Sequence, residues 1–278
     1  MKSYESQYMS NLDAIMTCGA REKNERTGIV TRRLPSTQII VDLEKEFPIL
    51  VSKKVNWKIA VDEILWIMQK QSNRTLELNS KIWDSWTGKD GTIGKSYGYQ
   101  VRQKVARDKI YDNQVSYILE TLKKDSSNRQ CVIDMWNVSE LGEMNLVPCV
   151  YSSVWNIIDG RLNCMLVQRS ADYPVGVPFD TTSYAVLVYL FARHLGVRPG
   201  KLTHVMADSH IYENQIDGVQ KQLKRYYFDL LADEERMELT PKLVFKENAP
   251  TNFWLIRIDD FDIVDYDPMP PIKYEVAV

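Results

Sequence analysis

The sequence predicts an α/β (α+β) fold with a mainly mixed or antiparallel sheet and packed helices. Apolar residues recur at helical spacing in the first half. From Cys131 onward the texture turns strand-like, in CVIDMW, VYSSVWNII and RLNCMLVQR. No flexible polar linker parts two cores, so residues 1–278 are expected to form a single domain. Dinucleotide fingerprints, Gly-rich phosphate loops and repeats are lacking from the sequence.

Along the chain, 4–19 reads as an amphipathic helix carrying Tyr4, Tyr8, Leu12 and Ile15, and Ile39–Leu43 as a short strand. The stretch 56–69 is a helix with Ala60, Ile64, Ile67 and Met68 on one side and Glu63 beside them. An irregular Trp/Gly-rich region at 82–100 follows, then a helix over 113–124. Asp159-Gly160 predicts the hairpin turn between two strands whose side faces are too apolar to meet water. A largely apolar helix spans 183–195, stopped by Gly196, and Leu202–Met206 is a short strand. A helix after 208 and strands at KLVF, FWLIRI and FDIVDY complete the chain.

Composition excludes several classes. With 44% hydrophobic and 26% charged residues over 278 positions, the chain is ordinary globular material. Lys plus Arg number 35 against 37 acidic residues, so no broad nucleic-acid face or extended nucleic-acid partner is expected. No run approaches the roughly 18 apolar residues of a membrane span, and the N-terminus lacks the order of a secretory signal. Cysteines at 18, 131, 149 and 164 form no CxxC pair, which predicts a reduced cytoplasmic protein without disulfide framework or zinc site. Three histidines make a metal centre improbable.

Chemistry-bearing residues read two ways. A cysteine in an apolar strand is more often packing than nucleophile; Cys149, following Pro148, is the better candidate than Cys131 or Cys164. A thiolate there needs a neighbouring cation, from Arg26, Arg129 or Arg169. Glu63 is either the polar edge of a helix or a carboxyl kept protonated by apolar surroundings. Asp180, in VPFDTTSY, reads as a cap of the following helix, since Asp-Thr-Thr-Ser supplies good capping groups. His210 and Tyr212 point alike if extended, toward each other or toward a ligand hydroxyl.

Together these residues sit in stretches that resemble the thymidylate synthase family over nearly the whole chain. They are RTG (26–28), EFPILVSKKVNWKIAVDEILWIMQ (46–69), IWDSW (82–86), YGYQ (97–100) and SNRQCVIDMWN (127–137). MNLVPCV (144–150), QRSADYPVGVPFDTTSYA (168–185), DSHIYENQ (208–215) and the terminal YDPMPPIKYEVAV follow. The resemblance implies a thymidylate synthase-like fold with a large mixed sheet, and a homodimer whose active sites share residues. It implies a pyrimidine nucleoside monophosphate substrate, 5,10-methylenetetrahydrofolate as one-carbon donor, and no metal. Cys149 then adds to pyrimidine C6, which makes C5 nucleophilic. Glu63 and Tyr97 act around the base; Arg26, Arg169 and Ser170 meet phosphate; His210 and Tyr212 meet the sugar. Arg129 reaches in from the other subunit, with Gln130 where the family normally carries a second arginine. Lys53, Trp83, Asp172, Gly176 and Val278 belong to the folate side, the last as part of a closing lid.

One departure steers the expected reaction. The family's PFN is PFD here, ending in Asp180, and a carboxyl suits cytosine's N3 and amine where an ionised one leaves uracil O4 without a donor. The expectation is therefore a CMP or dCMP 5-hydroxymethylase, like the bacimethrin and mildiomycin biosynthetic enzymes, quenching the methylene intermediate with water. A dUMP-methylating synthase is the alternative. A non-catalytic nucleotide- or RNA-binding regulator is more remote.

Overall fold

The computed structural model describes residues 3–276. Helix α1 (Tyr4–Cys18) starts under the side chain of Ser3, which accepts from the Ser6 amide, and buries Tyr4, Tyr8, Leu12 and Ile15 as the spacing requires. Two antiparallel strands follow, β1 (Ala20–Lys23) and the long β2 (Val30–Asp42), which extends the expected Ile39–Leu43 strand well toward its N-terminus. Helix α2 (Trp57–Met68) buries Ala60, Ile64, Ile67 and Met68. The region 82–100 is irregular apart from two short turns of helix, the second being α3 (Gly98–Val101). A two-residue hairpin, β3 (Val105–Ala106) with β4 (Ile110–Tyr111), leads to α4 (Gln114–Lys124), capped by Asn113.

Then come β5 (Val132–Asp134), β6 (Val150–Ile158), β7 (Arg161–Gln168) and the short β8 (Ala171–Asp172). The β6–β7 hairpin turns at Asp159 and Gly160, both with positive φ (53° and 65°), the twist that a tight hairpin demands. Helix α5 (Gly176–Leu195) is buried on nearly every side, as a helix apolar all round must be. Strand β9 (Arg198–Tyr212) follows, then α6 (Ile216–Lys224), a π-helical turn over 225–230, α7 (Glu234–Glu238), and the hairpin β10 (Lys242–Phe245) with β11 (Phe261–Val264). The expected strand at FWLIRI is instead a 3₁₀ turn, Phe253–Leu255.

The main sheet runs β1-β2-β9-β7-β6-β5, with β8 alongside β9. Pairings are antiparallel except β7 with β9 and β8 with β9, so the sheet is mixed. Helices α2 and α5 pack together over one face, tied by the Ser183 hydroxyl to Ala60 O at 3.1 Å. The opposite face is only half covered. Val132, Val154, Met165, Thr203 and Ile40 lie in register as one row across five strands, with Val132 and Met165 exposed. Among the described residues no helix is long and apolar enough to cross a membrane.

Two differences from the sequence reading position the site. Helix α5 begins seven residues earlier than 183, because Pro178 falls in the first turn, where its missing N–H costs nothing. Asp180 therefore lies inside the helix rather than capping it. Strand β9 runs through His210 to Tyr212, so those two side chains do share a face.

Candidate active site

A cavity of about 330 Å³ opens where α2, α5 and the ends of β7, β8 and β9 meet, and Cys149, Glu63, Tyr97, Trp83, Asp172 and Asp180 all line it. A second, polar cavity of about 320 Å³ adjoins it, lined by Arg169 and sharing Arg26, Cys149, Ser170, His210 and Tyr212. Residues separated by more than a hundred positions thus converge on one cleft.

Cys149 stands just before β6, where the pairing with β7 slips between Val150 and Ser152, an irregularity of the kind that re-aims side chains beside functional sites. The Arg169 guanidinium donates to Pro148 O (3.0 Å) and Val147 O (2.7 Å), and its Nη2 lies 4.0 Å from the Cys149 sulfur. Burial pushes the thiol pKa up, and the Arg169 charge opposes that rise. Cys131, just before β5, and Cys164, in β7, are buried, and desolvation raises both thiols, opposed at Cys131 by the Arg107 charge.

Tyr97 has φ 44° and ψ −104°, a backbone conformation disfavoured for a side chain of this size. Gly98 next to it packs so tightly that a Cβ there would meet Ser72 O at 2.1 Å. This arrangement delivers the Tyr97 hydroxyl to the Cys149 amide, which donates to it at 3.0 Å.

Three half-buried carboxyls lining the cleft hold protons more tightly than usual. Glu63 accepts from Trp83 Nε1 at 2.6 Å; burial, and then the nearby Asp180, push its pKa up to about 8. Asp180 accepts from Gln168 Nε2 at 2.9 Å and is raised to about 7 by burial, with Asp172 adding to the rise. Asp172, held by Gln215 at 3.0 Å, is raised to about 6, again by burial. At the other end of the cleft His210 bonds Asp208 at 3.3 Å, and Asp208 also takes an ion pair from Arg33. Burial works against ionisation of Asp208, yet His210 and Arg33 hold it at about 2.

Several expected site residues lie outside the two cavities, among them Arg129, which is expected to serve the other subunit's site. Arg129 and Gln130 are exposed in the loop before β5 and line neither cavity. Lys53 does not line the cleft either. Its ammonium is buried beneath the C-terminal segment, bonded to Pro174 O and 4.4 Å from the Tyr274 ring centre, and desolvation lowers its pKa to about 7. Gly176 and Val276 line the main cavity, whereas Val278 lies outside the described residues. Residues unassigned from sequence also appear: Gln168, Tyr184 and, behind the wall, His204. Strand alternation places Gln168 on the side of β7 facing α5, but nothing local says that it meets Asp180. Among the described residues no cluster of three or more His, Cys, Asp or Glu could hold a metal.

The family model for thymidylate synthase matches residues 6–278. The thymidylate synthase of Clostridium beijerinckii (strain ATCC 51743 / NCIMB 8052) is 41% identical over 281 residues, covering 100% of both chains. Thermostable thymidylate synthase A from Bacillus subtilis has 33% sequence identity to this chain, with a TM-score of 0.88 and 100% of each chain covered. The fold is thus the thymidylate synthase-like α/β fold with its large mixed sheet.

These likenesses overturn the expected cytidylate hydroxymethylase: the relatives that match end to end are thymidylate synthases. The physical reason lies in Asp180. The sequence argument against uracil required an ionised carboxylate, whereas burial raises this carboxyl to about 7. A protonated carboxyl carries one donor and one acceptor, as an asparagine amide does, so Asp in PFD does not by itself select cytosine. The chain belongs to the thymidylate synthase family.

Proposed function

We propose that this protein is a thymidylate synthase, converting dUMP to dTMP with 5,10-methylenetetrahydrofolate and releasing dihydrofolate. The observation that carries the reading is the convergence of Cys149, Glu63, Tyr97 and Asp180 around one cavity in a chain whose full-length relatives bear that name. The folate supplies the one-carbon unit and the hydride that reduces it. The cavity fits such a flat ring system, with Trp83, Trp86, Ile82 and Phe179 as apolar walls and Asp172 as a carboxyl partner. Lys53, unlike the sequence-based expectation, serves to hold the segment around Pro174 and the C-terminal tail.

Cys149 adds as thiolate to C6 of the base, and Arg169 favours its ionised form. Glu63, protonated near neutrality, gives and takes protons around the base, and Trp83 fixes its orientation. Neutral Asp180 donates to uracil O4 and accepts from N3–H. Arg26, Arg169 and Ser170 lie beside the adjoining polar cavity, which suits the phosphate; His210 and Tyr212 face the sugar between them. Tail closure by Val276 and its neighbours excludes water from the reacting centre.

The working form is a homodimer. Its support is the half-exposed apolar row across the sheet, a surface of the kind that partners cover, and the exposed position of Arg129 away from its own cleft. A single catalytic domain spans 1–278. Its four unpaired cysteines suit the reducing cytoplasm.

The test is direct. Purified protein with dUMP and methylenetetrahydrofolate is expected to give dihydrofolate absorbance and a dTMP mass in equal amounts. Tetrahydrofolate with a hydroxymethylated product, or faster turnover of a cytidylate than of dUMP, would reject the reading.

A further inference from the structure

Behind the base end of the cleft lies a chain of buried polar side chains that the reaction does not use directly. His204, on β9, is 0% exposed and Gln168, at the end of β7, is 2% exposed. His204 Nε2 lies 2.6 Å from Gln168 Oε1, and its Nδ1 lies 3.0 Å from the Thr181 hydroxyl of α5. Gln168 Nε2 donates both to Ser170 O at 3.1 Å and to Asp180 Oδ2 at 2.9 Å.

The roles follow from what each atom is able to do. A backbone carbonyl only accepts, so the amide atom facing Ser170 O is the nitrogen, and the amide oxygen faces His204. An amide oxygen also only accepts, so His204 carries its proton on Nε2. Burial, which lowers His204 to about 3, keeps the ring neutral, and Nδ1 is left as a lone pair that shares the Thr181 hydroxyl proton with Val177 O, 2.7 Å from that hydroxyl. Gln168 is thereby held in one orientation. A flipped amide would set two oxygens against each other at Ser170 and a second N–H against the His204 Nε2–H.

We propose that His204 is a positioning residue for base recognition: by locking the Gln168 amide it makes Oδ2 of Asp180 the accepting oxygen and leaves Oδ1 to present the proton to the base. This rests on the reading of Asp180 given above. Without the lock, the amide and the carboxyl both lose their direction, and a misplaced donor in a buried recognition site costs binding of the correct base.

The lock has a signature in pH. An N–H donated to Oδ2 favours the ionised carboxylate, so losing it raises the pKa of Asp180. The groups that face Asp180 are Glu63 from α2, Asp172 from β8, Tyr97, Tyr184 of α5 itself, Cys149 with Arg169 beside it, and neutral His204 behind Gln168. Of these, Glu63, Asp172 and Cys149 disfavour the ionised form when they are charged.

The experiment is the pH profile of kcat/KM for dUMP in wild type, Asp180→Asn, His204→Leu, His204→Gln and Gln168→Leu, with folding checked by thermal melting. In wild type kcat/KM falls first as Asp180 ionises, at about pH 7, and further as Glu63 ionises, at about pH 8; Asp180→Asn abolishes the first fall and keeps the second. His204→Leu raises KM for dUMP about tenfold with kcat much less changed, and moves the first fall to higher pH. His204→Gln, whose amide N–H reaches the place of Nε2–H, restores both. Gln168→Leu removes the donor itself and moves the fall the same way, which keeps the test decisive if His204→Leu does not fold. A folded His204→Leu with the fall in its wild-type place, or His204→Gln as impaired as His204→Leu, overturns the positioning role while the function stands. If Gln168→Leu leaves the fall unmoved, the lock is likewise overturned. The first fall, at about pH 7, retained in Asp180→Asn overturns the base reading on which the proposal stands.

Discussion

The two ends of the cleft handle charge in opposite ways. At the base end Glu63, Asp180 and Tyr97 are desolvated, and burial pushes each toward its neutral form. At the anion end Asp208 is also partly buried, yet His210 and Arg33 hold it ionised at about 2. The same residue type, aspartate, thus holds its proton up to about pH 7 at one end and loses it near pH 2 at the other. Burial and partners together decide the protonation state: Asp180 is the more completely desolvated and has an amide donor beside it, and Asp208 has a guanidinium. A cleft built this way suits the proposed substrate, with a neutral ring at one end and an anion at the other.

The largest expected effect strikes where the two ends meet. Cys149→Ala is expected to lose turnover roughly 10⁴-fold or more, while nucleotide binding by calorimetry is largely kept. Appreciable turnover in that variant would remove the covalent role and the reason for joining the two ends.

Next is Glu63→Gln, which sharpens the base end. The Glu63 pKa is raised to about 8 from 4.5, so between those values the folded state holds a proton that the unfolded state has lost. The stability this contributes is fully present below the unfolded value and is lost as pH rises through about 8. Wild-type stability is therefore expected to fall with rising pH, and Glu63→Gln to be roughly 2–4 kcal/mol more stable than wild type at high pH but nearly equal in mild acid. Urea melts at both pH values measure this; parallel curves for the two proteins would contradict the desolvated, neutral base end.

Arg169→Ala acts at the anion end. It removes the donors to Val147 O and Pro148 O and the cation beside the thiol. We expect kcat/KM to fall about 10- to 100-fold, and the rise of thiol alkylation rate with pH to shift to higher pH. An unshifted alkylation profile would separate Arg169 from the nucleophile. The smallest effect is expected from Gly218→Ala, outside both ends. A Cβ there would meet the Tyr274 ring at 2.6 Å, in the segment that carries Val276 to the cavity. KM for the folate is expected to rise about threefold, with less than about 1 kcal/mol lost in stability. A changed KM for dUMP alone would show that the tail bears on the base instead.

Much of this architecture is written in local patterns. The apolar faces of α1 and α2 follow from residue spacing, and the Asp159-Gly160 turn from two residues that tolerate positive φ. The β6–β7 hairpin follows from both. The start of α5 is not legible in this way: Gly176 and Pro178 look like breakers, yet at a first turn neither opposes a helix. That misplacement is what made Asp180 look like a cap. FWLIRI carries a strand-like pattern, but among the described residues it joins no sheet and holds a 3₁₀ turn, Phe253–Leu255.

The sequence by itself determined which residues could do chemistry, because the ordered motifs around Cys149, Glu63, Asp180 and His210 name the family. It did not determine the protonation of Asp180, and on that point its reading of the base failed. A pKa is a property of surroundings: the burial of Asp180, the Gln168 amide and the His204 ring behind it come from α5, β7 and β9, and only their packing brings them together. The tertiary structure alone decided that the carboxyl at this position keeps its proton up to about pH 7.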